Sequence, residues 1–70
     1  MPLHTNEMPF DHLGGYLQVE VVGSGTAQLQ VNSGENWVNC GEPLSEGVYC
    51  DLFKPAVYRF SLTDATAFTR

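Results

Sequence analysis

Four side chains in this 70-residue chain carry the chemistry most often recruited for metal binding or catalysis: Cys40, Cys50, His4 and His12. A zinc site takes such ligands at short spacings, about two to four residues between cysteines and three to five between histidines. Here residues 41 to 49 separate the cysteines and 5 to 11 the histidines, with the histidines far from both thiols along the chain. No metal and no other cofactor is expected. Asp11 and His12 are neighbours, but adjacent residues of an extended segment point apart. Asp51 and Asp64 fall at strand and turn positions where a carboxylate is simply solvated. The sequence holds no nucleophile elbow, phosphate loop or His-Glu-x-x-His motif. The expectation is a protein with no catalytic residues, not an enzyme.

The cysteines acquire a different meaning if they face each other. A hairpin closed by the loop from Pro43 to Gly47, with Glu42 opposite Val48, sets Cys40 opposite Cys50 and Val38 opposite Leu52. Directly opposed side chains have Cβ atoms about 4.5–5.5 Å apart, which permits a strained cross-strand disulfide or two adjacent thiols packed as small hydrophobes. The same register puts Trp37 opposite Phe53, with Tyr49 one step along, on the face away from the core. Such a face either packs against a second sheet or forms an exposed interface patch. With Asn39 and Asp51 beside it, it could also stack on a sugar.

The elements that must position these residues are strands. From Tyr16 onward apolar and polar residues alternate, broken by Gly, Ser, Asn and Pro, the pattern of short antiparallel strands. Tyr16–Val22 buries Leu17, Val19 and Val21, and Gly23-Ser24-Gly25 reads as the turn of a hairpin to Thr26–Asn32. Ser33–Asn36 is a second turn before Trp37–Cys40. Val48–Phe53 ends at Lys54-Pro55, Val57–Thr63 carries Tyr58, Phe60 and Leu62 on one face, and a weaker strand covers Ala65–Thr69. No segment has a helical period. The fold expected is all-β, a small antiparallel sandwich or open barrel of five to six short strands over residues 16–70. Residues 1–15, with neither period and with Pro2 and Pro9, read as an extended N-terminal arm.

Composition narrows the function. Three Lys and Arg stand against eight Asp and Glu, for a net charge of −5 and a pI near 4.5. Nucleic-acid binding needs clustered cations, and an acidic surface is repelled by anionic membranes. Neither partner is expected. No run approaches the ~20 apolar residues of a membrane span, and the first residues lack the basic and apolar regions of a signal peptide. The protein is therefore expected to be made and kept in the cytoplasm, where thiols stay reduced. A core this small seldom supplies more than about 3–5 kcal/mol by itself, so burial against neighbouring subunits is expected. Arm residues Leu3, Met8, Phe10 and Leu13 could drape over an adjacent copy.

The run Gly25-Thr26-Ala27-Gln28-Leu29-Gln30-Val31, then Ser33-Gly34-Glu35-Asn36-Trp37-Val38, resembles the small β-sandwich domains of phage virions. Leu44–Val48 and Ala56–Thr66 resemble their closing strands, so that the likeness covers roughly residues 23 to 67. The cysteine pair and the arm depart from that pattern. The resemblance implies a homo-oligomer, often a trimer, that decorates or cements a capsid by contact with the major capsid protein or another virion protein. It would be made in the host cytoplasm and displayed on the virion surface. The expected interface comprises Trp37, Tyr49 and Phe53 with Leu3, Met8 and Phe10 of the arm. Alternatives are a receptor- or glycan-binding appendage and a small cytoplasmic inhibitor or adaptor.

Overall fold

A computed structural model describes residues 3–69; Met1 and Pro2 of the expected arm and Arg70 lie outside the described residues. The protein is all-β. Among the described residues six antiparallel strands form one sheet that does not close: β1 (Leu3–His4), β2 (Phe10–His12), β3 (Gly15–Asn32), β4 (Trp37–Asn39), β5 (Gly47–Phe53) and β6 (Ala56–Thr69). Ser33–Asn36 forms the expected turn between β3 and β4, closed by Ser33 N–H donating to Asn36 O at 2.9 Å.

The hairpin expected at Gly23-Ser24-Gly25 is absent. Tyr16–Val22 and Thr26–Asn32 are two halves of one strand, β3, and both pair with β6 rather than with each other. The glycines serve a bulge. The register with β6 shifts between Gly23 and Thr26, the extra residue that bends a strand sharply. At Gly25 a Cβ would lie 1.6 Å from the carbonyl oxygen of Thr63, so only glycine allows the two backbones to approach this closely. Opposite the bulge, Asp64 takes a left-handed φ of 52°. Its buried face changes phase there, from Tyr58 and Phe60 to Ala67 and Thr69.

This bend divides the sheet into two four-stranded halves. In one, β1 and the end of β6 flank the first half of β3, followed by β5; in the other, β2 and the start of β6 flank the second half of β3, followed by β4. The halves share one core. Leu17, Val19, Val21 and Ala67 come from the first, and Ala27, Leu29, Tyr58 and Phe60 from the second. The buried Tyr58 hydroxyl donates to Lys54 O at 2.8 Å, so the deepest phenol carries no unpaired polar group.

The N-terminal segment is not an arm apart from the domain. Leu3 and His4 pair with Phe68 and Ala67, and Phe10 to His12 pair with Tyr58 to Ala56, both on the outer edge of β6. Between them, Glu7 N–H donates to Phe60 O at 2.8 Å and Asn6 Oδ1 accepts from Leu62 N–H at 2.7 Å. The lack of periodicity misled because each pairing run is only two or three residues long. Phe10 stacks on Phe60 with ring centroids 5.7 Å apart, and the His4 ring sits 4.3 Å from Phe10 and hydrogen-bonds Thr69 Oγ1. Leu3, Met8 and Leu13 remain exposed.

Candidate functional site

On the other flank of β3 the two halves diverge. β5 pairs with Gly15–Val21, whereas β4 pairs with Gln30–Asn32 and Leu44 bridges to Ala27, so β4 and β5 lie at opposite ends of one edge and never pair. The segment after β4 stays with its own half: Cys40 N–H donates to Leu29 O, and Ala27 and Leu44 exchange backbone bonds, all at 2.8 Å. The result is a cleft of about 430 Å³ between β5 and residues 40–44, within the ~300–1,000 Å³ range of ligand sites.

The core supplies its floor through Leu17, Val19 and Leu29. One wall is Tyr49 and Phe53 of β5, the other Cys40 and Leu44, and the carboxylates of Glu42 and Asp51 stand at the mouth. Tyr49 Oη donates to Ser45 O at 2.8 Å, tying β5 to the opposite loop, and Asp51 Oδ1 accepts from Leu52 N–H at 2.8 Å. Burial raises the Tyr58 phenol above its ordinary pKa, and the charge of Cys40 adds to the rise. The cleft is lined by two carboxylates and no cation. Among the described residues, no three His, Cys, Asp or Glu side chains are grouped to hold a metal.

The expected Cys40–Cys50 hairpin is corrected by this topology. Cys50 lies opposite Gln18, and both thiols are free. Both residues border one cleft, but only Cys40 packs against the core, while the Cys50 side chain shares the outer face with Val48 and Leu52. The shared aromatic face is corrected too. Trp37 points outward, as expected, but under the guanidinium of Arg59, 4.5 Å from its ring centroid; Arg59 Nε also donates to Gln30 Oε1 at 2.7 Å. Tyr49 and Phe53 point inward, opposite Val19 and Gly15, with Phe53 edge-on to Tyr58 at 5.8 Å. The side-chain period of two means that changing the partner strand exchanges the faces. Leu52, expected inside opposite Val38, is therefore 62% exposed.

Sequence reasoning missed the outer face that this exchange creates. Tyr16 pairs with Leu52 and Glu20 with Val48, and the three apolar side chains Tyr16, Leu52 and Val48 are 73%, 62% and 61% exposed. Sequence carries only an ambiguous signal there, since both alternating sets of β5, Val48-Cys50-Leu52 and Tyr49-Asp51-Phe53, are mainly apolar. It also missed Glu42 and Leu44 as cleft residues. In comparisons with known proteins, no family model, curated protein or solved structure matches the chain.

Proposed function

We propose that the protein is an assembly subunit that self-associates through the outer face of β3 and β5, and that it serves as a decoration or cement subunit on a phage particle. The observation that carries the assembly reading is the exposure of Tyr16, Val48 and Leu52 on one face of two paired strands, with Tyr16 directly opposite Leu52. Exposed apolar patches mark interaction surfaces, and a thin core gains from burial against a copy of itself. The particle, the trimeric state and contact with a major capsid protein follow from the resemblance of residues 23–67. In this reading Tyr16 and Leu52 replace Tyr49 and Phe53 as the anchors. Equilibrium sedimentation of the wild type and of Leu52→Ser is the test. Anchor truncation should cost about 2 kcal/mol or more of association. A wild type that stays monomeric at high micromolar concentration would defeat the assembly reading.

A second reading, a glycan- or receptor-binding appendage, draws on the cleft. Tyr49 and Phe53 offer ring surface and Asp51 and Glu42 offer acceptors for hydroxyl groups.

A further inference from the structure

The outer face does not account for the cleft or for the edge of β5 beside it. Among the described residues β5 pairs only with β3, which leaves its other edge free over seven residues, Gly47 to Phe53. Natural proteins protect such edges with Lys, Pro or a covering segment. This strand contains neither Lys nor Pro, its one charge being the inward-facing Asp51, whereas the outer edge of β6 is covered by β1 and β2.

We propose that the β5 edge and the adjoining cleft form a docking site for an extended segment of a different, basic protein. The segment adds as a further strand to β5, placing an apolar side chain over Leu17, Val19 and Leu29 and an Arg or Lys between Asp51 and Glu42. Strand addition gains affinity from main-chain hydrogen bonds and specificity from alternate side chains entering pockets. Charge selects the occupant. Asp51 within β5 and Glu42 across the cleft are the charged groups that line it, and neither faces a cation there; Lys54 follows the end of β5. A second copy would bring another such set of carboxylates against the first, whereas a basic segment neutralises them. This inference stands apart from self-association, which uses the outer face.

The test uses the whole protein and the synthetic peptide acetyl-Thr-Leu-Val-Arg-Val-Leu-Thr-amide, whose symmetric pattern fits either strand direction. Binding is followed by amide chemical shifts. The peptide should perturb residues 47–53 and the cleft, and replacing its Arg by Glu should weaken binding about tenfold or more. Two further peptides carry N-methyl groups on one or the other alternate set of residues. An added strand donates from only one set, so one should lose binding and the other retain it. The double variant Glu42→Gln/Asp51→Asn should reduce the preference for Arg over Glu to about twofold. Equal binding of the Arg and Glu peptides, equal effects of the two methylation patterns, or shifts confined to Tyr16 and the outer face would overturn the proposal. So would protection of the free β5 edge that rises with protein concentration in the absence of peptide, since a second copy would then be the occupant.

Discussion

The two flanks of the β3–β6 ribbon are built from the same kind of strand yet end differently. On the β6 flank, β1 and β2 pair with the edge, Asn6 accepts from Leu62, and His4 and Phe10 roof over Phe60. On the β3 flank, β4 and β5 follow opposite halves of a bent strand, and a cleft opens between β5 and residues 40–44 that follow β4. The contrast shows where stability is concentrated and where surface remains available. A chain with little core covers one edge with its own N-terminal residues and leaves the other, with its apolar and acidic groups, uncovered among the described residues.

The bend creates both flanks, so its removal has the largest effect. Gly25→Ala drives a Cβ into the backbone of Thr63, where neither side can yield without breaking the ladder. A loss of about 3 kcal/mol or more is expected, enough to unfold so small a domain, as chemical denaturation followed by tryptophan fluorescence would register.

The flanks themselves separate at the next scale. Phe10→Ala removes the ring stacked on Phe60 and tilted against His4 and should cost about 2–3 kcal/mol of monomer stability. Leu52→Ser, on the open flank, should change monomer stability by about 0.5 kcal/mol or less while weakening association. Urea midpoints of the two variants, measured at a concentration where the protein is monomeric, check the asymmetry. Equal losses would erase it.

Acid should act through the closed flank. Burial lowers the pKa of His4 below the ordinary 6.5, so between the folded and unfolded values the unfolded chain binds more protons. The His4 contribution is therefore fully present above about pH 6.5 and is lost as the pH falls through the lowered folded-state value. Urea midpoints of the wild type should fall more steeply from pH 8 to pH 5 than those of His4→Gln. A parallel pair of curves would show that the imidazole does not report on this roof.

The cysteines give the smallest effect. Cys40→Ala should cost about 1 kcal/mol, because its half-buried sulfur packs against the core, and Cys50→Ala less, because Cys50 is exposed. Thermal melts of the single variants provide the comparison.

Local pattern was legible where one face is clearly apolar. Leu17, Val19 and Val21, then Ala27 and Leu29, then Tyr58 and Phe60 are buried as alternation requires, and Lys54-Pro55 ends β5 as expected. The bend was not legible, because Gly-Ser-Gly fits a hairpin turn as well as a bulge and the deciding contact is with Thr63, far along the chain. That one ambiguity propagated. With β3 read as a hairpin, β4 and β5 had only each other to pair with, which inverted the faces of β5 and hid both the cleft and the outer patch. The N-terminal strands escaped notice because pairs and triplets of residues carry no measurable period.

The contrast between a covered and an uncovered flank is tested most directly by residue-resolved amide hydrogen exchange on the monomer, with and without the Arg peptide. The account predicts protection of the Glu7 and Leu62 amides, which donate to Phe60 and Asn6, alongside fast exchange at the alternate β5 amides that face away from β3. Those open amides should become protected when the peptide is added. Free exchange at Glu7 and Leu62, or β5 amides already protected throughout in the monomer, would contradict it.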